Sequence, residues 1–291
     1  MIPDLAIRVE AALNHCGDEP WFPELTTGLV KSEWQNLSHH TGLSPENYAT
    51  ARAMGRNPCI PRRIVARLPM FSDRDNPHRD LQVEILDSEF AYCYEEAGIR
   101  FYTALEIDAT NILPQLREAI TILNPIPTLF ATVAALVRSI HVLDPVDDAY
   151  DISFSEPNIP FSIFVSVPQS NRVTNPLRIA EAIIHEAMHL QLTLIERYVP
   201  LVIKTQKKIF SPWRGEYRSI RGVLHALYVF RVIDRFLECL SAMKGYPHEE
   251  VKYIQGRRDE IDEQINKIRT LSGHPELTMV GACFVDRLTQ N

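Results

Sequence analysis

One five-residue segment, His185-Glu186-Ala187-Met188-His189, constrains this chain more than any other. Residues four apart lie on one face of an α-helix, about 6 Å apart along its axis, so two imidazoles at that spacing can bind the same ion. A glutamate next to the first histidine can approach a metal-bound water from the side. The segment therefore predicts a helix that binds a single divalent metal through His185 and His189, with Glu186 beside it.

The residues around this segment are apolar, which favours burial of the helix. Ile183 and Ile184 precede it, and Leu190 and Leu192 follow it. A segment of this pattern also arises by chance, and two histidines on a helix can be ordinary core or surface groups. Burying two imidazoles and a carboxylate without an ion is costly, however. The apolar surroundings therefore favour metal binding over a purely structural role.

Two histidines do not hold a metal tightly, so a third ligand is expected from further along the chain. The extended pattern HExxHxxGxxH is absent, because Leu192 and Ile195 occupy the positions of its glycine and third histidine. This argues against one large class of zinc peptidases. A lone histidine in an apolar helical stretch, such as His225, is often a core residue, but the HExxH segment upstream favours a ligand role for it. A glutamate would suit a two-His-one-Glu site. The candidate third ligands are His225, Asp234 and Glu238.

Three arginines cluster around the start of the helix that carries His225. They are Arg214, Arg218 and Arg221, and Arg221 is one helical turn from His225. A guanidinium beside a metal is suited to bind the carboxylate of a substrate or cosubstrate in bidentate fashion. The alternative is a solvated helix start with ordinary surface salt bridges.

Periodicity predicts a mainly α fold with a small β-sheet, an α+β class. Alternating β-branched and aromatic residues predict a strand at Phe161–Val167, and the polar, proline-containing segment Arg62–Asp80 predicts a connection. A mostly helical portion, 1–120, is a candidate for peptide recognition, and 121–291 is the metal-binding portion, packed with the first as one unit. The predicted helices are Leu113–Leu123, Pro127–Leu143, Pro176–Tyr198, Ser219–Lys244 and Glu249–Leu271.

The composition of the 291 residues excludes several classes of protein. The formal net charge of -7 makes a broad nucleic-acid-binding surface unexpected. The five cysteines include no CxxC pair, which predicts a reducing compartment and no disulfide framework. The N-terminus lacks signal-peptide features, and the most apolar stretch, Pro127–Ile140, is too short to span a bilayer. These properties predict a cytoplasmic protein that binds neither nucleic acid nor membrane.

Two segments together resemble a family of HExxH proteins that are encoded with ribosomally made peptides. The first is Ile183–Leu192 and the second is Ser211–Tyr228, which reads SPWR, then an arginine, then G-x-L-H-x-x-Y. This combination is much more specific than HExxH alone. A looser match covers Ser153–Ser166, so the resemblance extends over roughly Asp144–Phe236.

Members of this family are understood as iron(II)- and 2-oxoglutarate-dependent peptide β-hydroxylases that share their metal helix with zinc peptidases. The resemblance implies Fe(II) bound by His185, His189 and His225, in a zincin-like fold. It also implies that Arg214 or Arg218 binds the distal carboxylate of 2-oxoglutarate, and that a precursor peptide is the partner. Three histidines depart from the common set of two histidines and one carboxylate. The expected cosubstrate pocket includes Arg214, Arg218, Arg221 and Tyr228, and the expected catalytic groups are Glu186, Arg214 and Arg218.

Two other functions remain open. In a zinc-dependent peptidase, Glu186 would be the general base and Glu238 or another carboxylate would complete the site. A non-catalytic protein of the same descent would bind metal or peptide without turnover. In either enzyme, the strand Phe161–Val167 could lie at a sheet edge beside the metal helix and pair with an extended peptide. The alternative is that it is an ordinary core strand.

Overall fold

The computed structural model describes residues 3–14, 19–41, 62–70, 80–86, 88–96, 98–145, 147, 151–155, 159, 161–204, 206–243 and 245–290. The chain folds into two compact units. The terminal unit comprises Met1–Leu29 and Met188–Asn291, and the middle unit comprises Val30–Ala187. The boundary predicted from the sequence at residue 120 falls inside the middle unit. The difference arises because the first helix packs against the last one, a contact that local sequence patterns do not reveal.

Helices contain most of the described residues, which confirms the predicted mainly α class with a small sheet. In the described part of the chain, no helix combines the length and the apolarity needed to cross a bilayer. The helices are α1 Pro3–Asn14, α2 Pro23–Thr41, α3 Ser88–Glu95, α4 Ala104–Ala109, α5 Ile112–Leu123, α6 Pro127–Leu136, α7 Asn175–Glu196, α8 Ile220–Ser241, α9 His248–Asn266 and α10 Met279–Thr289. The strands are β1 Arg62–Pro69, β2 Asp80–Leu86, β3 Arg100–Phe101, β4 Ser139–Asp144, β5 Ser153–Ser155, β6 Ser162–Ser166, β7 Lys208–Ser211 and β8 Glu216–Ser219.

The sheet of the middle unit has the strand order β1-β2-β4-β6-β5, with β3 paired to β4. The strands β2, β4 and β6 are parallel, while β1 and β5 are antiparallel to their neighbours. All five residues of β6 are buried, as expected for an inner parallel strand covered on both faces. This strand confirms the one predicted at Phe161–Val167.

The helices of the middle unit follow the pattern of their apolar residues. In α5, the side chains of Ile112, Leu116 and Leu123 are buried at helical spacing, as the sequence predicts. Gln115, on the same helix, donates a hydrogen bond of 2.8 Å to the carbonyl of Pro168. This bond ties α5 to the segment that follows β6.

The terminal unit is built around a buried aromatic cluster. The ring of Tyr228 on α8 lies 6.1 Å from that of Phe22 and 5.7 Å from that of Phe284 on α10. Gln191 on α7 donates a hydrogen bond of 2.7 Å to the carbonyl of Trp21. These contacts hold α7, α8 and α10 around the segment that precedes α2.

The helix predicted at Pro127–Leu143 is too long. Helix α6 ends at Leu136, because Val137 turns to an extended conformation at φ −107° and ψ 117°. Residues 139–144 form β4 instead, which pairs with β2 and β6. A short apolar run fits a buried helix and a buried strand equally well, so periodicity alone does not separate them.

Two further segments need correction. The predicted connection Arg62–Asp80 contains a strand at its start, β1, and residues 71–79 lie outside the described part of the chain. The predicted helix Glu249–Leu271 ends at Asn266 and continues as a short 3-10 helix, Arg269–Gly273. The other predicted helices, Leu113–Leu123, Pro176–Tyr198 and Ser219–Lys244, are confirmed by α5, α7 and α8.

Candidate metal centre

The HExxH segment lies in α7, an uninterrupted helix of 22 residues. His185 and His189 are therefore on one helical face by virtue of their spacing. Ile184 and Leu192 around them are fully buried, while the side chain of His185 keeps 23% of its surface exposed. Near the start of the helix, Arg178 forms two hydrogen bonds, of 2.8 and 2.9 Å, with the carboxylate of Asp151. The middle unit contains the helix up to Ala187, and the terminal unit contains the rest.

Glu186 is anchored within the middle unit. Its Oε1 atom accepts a hydrogen bond of 2.7 Å from the hydroxyl of Ser153 and lies 4.0 Å from Nε2 of His185. Ser153 belongs to β5, the outer strand of the described sheet on this side. The strand predicted to lie at an edge, Phe161–Val167, is instead an inner strand between β4 and β5. The peptide-pairing role suggested for it is therefore wrong, because both of its sides carry hydrogen-bonded neighbours.

His189 and His225 face each other in the terminal unit. Their Nδ1 atoms are 3.3 Å apart, and their rings are 16° from parallel with centroids 5.5 Å apart. His225 is only 6% exposed and lies in the second turn of α8, which begins after the N-cap residue Ser219. The structure thus brings together two of the three predicted metal ligands, which are 36 positions apart in the sequence.

Glu196 contacts the opposite nitrogen of the His225 ring. Its Oε2 atom is 2.9 Å from Nε2 of His225, and the same oxygen accepts a hydrogen bond of 2.7 Å from Arg221. Burial opposes ionisation of this carboxyl, but the hydrogen bonds and charges of His225 and Arg221 outweigh burial and lower the pKa of Glu196. The carboxylate therefore accepts the Nε2–H of the ring. A neutral His225 then has its lone pair on Nδ1, directed toward His189.

The distance between the two Nδ1 atoms fits that between two nitrogen ligands of one divalent metal. Imidazole nitrogens bind zinc at about 2.0–2.1 Å, so two nitrogens on a tetrahedral ion are about 3.4 Å apart. The 3.3 Å between His189 and His225 matches that spacing. Metal-binding histidines usually donate their other N–H to a carboxylate or carbonyl, as His225 does to Glu196. Without an ion, the same distance accommodates an N–H···N hydrogen bond.

The two alternative third ligands are engaged elsewhere on α8. Glu238 follows His225 by thirteen residues, which is about 20 Å along a helix. Its carboxylate pairs with Arg235 and, at 3.4 Å, with Arg258. Asp234 pairs with Arg258 at 3.1 Å. His225 is thus the candidate that lies beside His189. Within the described residues, no group of three or more His, Cys, Asp or Glu side chains converges as a complete metal cluster.

The SPWR segment forms the turn of a hairpin between β7 and β8. The amides of Arg214 and Gly215 both donate to the carbonyl of Ser211, and Gly215 has φ +66°, a conformation that favours glycine. Trp213 stacks on Phe230 with ring centroids 5.4 Å apart. The turn is therefore fixed against α8 by its tryptophan.

The three predicted arginines have different surroundings. Arg214 is exposed in the turn, and Arg218 on β8 is exposed and pairs with Glu216 at 2.8 Å. Arg221 is the one linked to the histidines, because its partner Glu196 also contacts His225. Tyr228, predicted to bind the cosubstrate, is fully buried and donates its hydroxyl hydrogen to Oε1 of Gln191. No part of its surface is open to solvent.

Glu196 and Ser153 are not among the site residues predicted from the sequence. Glu196 follows His189 by seven residues, so both lie on the same face of α7 two turns apart. That spacing was a usable signal for a carboxylate beside the metal face. The contact of Ser153 with Glu186 joins residues 33 positions apart through the sheet, and no local pattern announces it.

No protein-family model matches the sequence, and no curated protein is significantly similar to it.

Proposed function

We propose that this protein is an iron(II)- and 2-oxoglutarate-dependent oxygenase that β-hydroxylates a residue of a ribosomally synthesised peptide. In this proposal a zincin-like helix supplies His185 and His189, and His225 completes the ligand set. The observation that supports it most is the 3.3 Å contact between His189 and His225, with the Glu196 carboxylate on the far nitrogen of His225. Nitrogen ligands in this arrangement suit a non-haem iron that keeps open positions.

Iron(II) with 2-oxoglutarate and O₂ would supply the oxidising power that hydroxylation of a carbon centre requires. In the overall reaction, one oxygen atom enters the peptide hydroxyl and the other enters succinate, with release of CO₂. The protein's own part is positional. Glu196 and Arg221 fix the His225 ring, and Ser153 fixes one oxygen of Glu186.

Glu186 separates this function from zinc peptidase chemistry. A peptidase needs this carboxylate to take a proton from the attacking water. An oxygenase has no obligatory step for it, and an anchoring contact with Ser153 is compatible with a supporting role. Glu186→Gln should therefore leave measurable hydroxylation in an oxygenase, whereas a peptidase should lose nearly all activity.

The decisive experiment is anaerobic loading with Fe(II) followed by 2-oxoglutarate. We expect the weak visible charge-transfer band of the chelated cosubstrate, and we expect the band to disappear when O₂ is admitted. Tightly bound zinc in the protein as isolated, with no band, would instead support the peptidase. Bound metal without a band and without cleavage of peptides would support a binding protein.

Arg214 and Arg218 are the proposed partners of the distal carboxylate of the cosubstrate. Replacing the responsible arginine by alanine should raise the 2-oxoglutarate concentration needed for the band at least tenfold and leave iron content unchanged. Arg269→Ala, an exposed arginine of the same unit, is the matched control. Unchanged cosubstrate dependence in both variants would remove these arginines from the site.

A further inference from the structure

A cleft of about 570 Å³ opens in the middle unit beside the end of β1. Its walls are mostly apolar, with Leu68 and Met70 on the strand side and Ile120 and Phe130 on the helical side. Arg117 is the charged residue of this lining, and it is exposed. A mostly apolar cleft with a single cation is suited to an amphipathic chain that carries a carboxylate.

The strand next to this cleft, β1, is one of the two outer strands of the described sheet. It pairs with β2 on one side, and no described strand pairs with its other side. An outer strand presents backbone N–H and C=O groups to which an extended peptide can add. A register shift between Ile64 and Ala66 interrupts the hydrogen-bond pairing of β1 with β2. The regular part of β1, to which a peptide could pair, therefore runs from Ala66 to the cleft.

The charges of this edge favour an acidic partner. Arg63 and Arg67 are exposed on β1, and Arg117 lies in the cleft. Among the described residues, Arg63 and Arg117 have no ion pair, and Asp80, opposite Pro69, is the acidic residue at this end of the strand pair. Arg63 lies opposite Ile85 and Arg67 opposite Gln82, so the two arginines are on opposite faces of the sheet along the same edge. Arginines along an exposed edge would attract carboxylates and repel basic peptides.

This edge is distant from Glu186 within the same unit. Glu186 contacts Ser153 on β5, and β5 and β1 are opposite edges of the sheet, four strand spacings apart. With about 4.8 Å per spacing, the two edge strands are about 19 Å apart. An extended peptide covers that distance with about six residues.

We propose that the β1 edge and its cleft bind an extended acidic segment of the peptide substrate, about six residues from any part of the peptide that lies beside Glu186. The binding would combine main-chain pairing with β1, apolar side chains in the cleft, and carboxylates on Arg63 and Arg117. The inference rests on the proposed function for the role of the peptide as substrate. The binding itself requires neither metal nor turnover.

Fluorescence anisotropy on the full-length metal-free protein tests the binding. The probe is a fluorescein-labelled octapeptide of alternating Glu and Val, compared with one of alternating Lys and Val. The acidic probe should bind at least tenfold more tightly, and the double variant Arg63→Gln, Arg117→Gln should weaken it at least tenfold. Arg172→Gln, an exposed arginine of the same unit, should change nothing. Equal binding of the two probes, or no effect of the double variant, would overturn the proposal.

A photo-crosslinking version of the acidic probe tests the location. A benzoylphenylalanine in place of one Val should label the cleft, at residues such as Met70 or Phe130. Labelling confined to residues 153–155 would place the peptide beside Glu186 and overturn the separate docking site. Because these measurements omit iron and 2-oxoglutarate, their outcome is independent of whether the charge-transfer band appears.

Discussion

The carboxylate of Glu196 lies 2.9 Å from Nε2 of His225, on the side of the ring away from His189. This contact fixes both the orientation and the tautomer of the ring, because an ionised carboxylate accepts the Nε2–H. The remaining nitrogen then presents its lone pair where a metal would be shared with His189. The proposed metal centre therefore depends on a residue that is not itself a ligand.

Glu196→Gln should weaken metal binding about 10- to 100-fold, since outer hydrogen-bond partners of metal ligands typically have effects of that size. The amide preserves the shape of the side chain but removes the charge that fixes the tautomer of His225. Competition titration with Co(II) in the metal-free protein measures the affinity. Glu216→Gln, on the exposed strand β8, is the control and should bind as the unaltered protein does. Equal affinities in the two variants would contradict the positioning role.

His225→Ala should reduce the metal affinity more than Glu196→Gln does, because it removes a donor atom rather than its support. The measurement is the metal content after anaerobic reconstitution and gel filtration. His248→Ala, which changes an exposed histidine at the start of α9, should retain the full content. Full retention in His225→Ala would move the third-ligand role to another residue.

The sequence predicted the helices of this centre because their patterns are local. The HExxH spacing and the apolar residues around it were enough to predict α7. The apolar stretch around His225 was enough to predict α8. The pairing of the two helices was not predictable in the same way. His189 and His225 are 36 positions apart, and their contact depends on how the terminal unit packs.

The errors have the same origin. Residues 139–143 were predicted to be helical because Ile140 continues the helical spacing of Leu129, Val133 and Leu136. Their conformation is set by β2 and β6 on either side, and those partners lie far away in sequence. In the same way, the edge position assigned to Phe161–Val167 depended on the order of strands in the sheet, which no single strand encodes.

Tyr228→Phe should lower the free energy of unfolding by about 1–3 kcal/mol, because it leaves the buried Oε1 of Gln191 without its donor. Burial raises the pKa of the Tyr228 phenol well above its ordinary value, so the hydroxyl remains a donor throughout the physiological range. Urea denaturation measures the change. Tyr217→Phe, on the exposed strand β8, should alter stability by less than about 0.5 kcal/mol. Equal effects of the two substitutions would show that the Tyr228 hydroxyl is not needed in the core.

Gly281→Ala should destabilise the protein because α10 passes directly over the backbone at Leu201. A Cβ atom on Gly281 would overlap the carbonyl oxygen of Leu201 and lie 2.9 Å from its carbon. The backbone cannot move aside as a flexible side chain can, so we expect the free energy of unfolding to fall by about 1–3 kcal/mol, as at other overpacked sites.

The matched control is Gly256→Ala in α9, where nothing lies within 4 Å of the added methyl. That substitution should stabilise the protein by about 0.5–1 kcal/mol, because alanine favours the helix over glycine. Urea denaturation of the two variants should thus show changes of opposite sign, and stabilisation by both would mean that α10 does not approach Leu201 so closely.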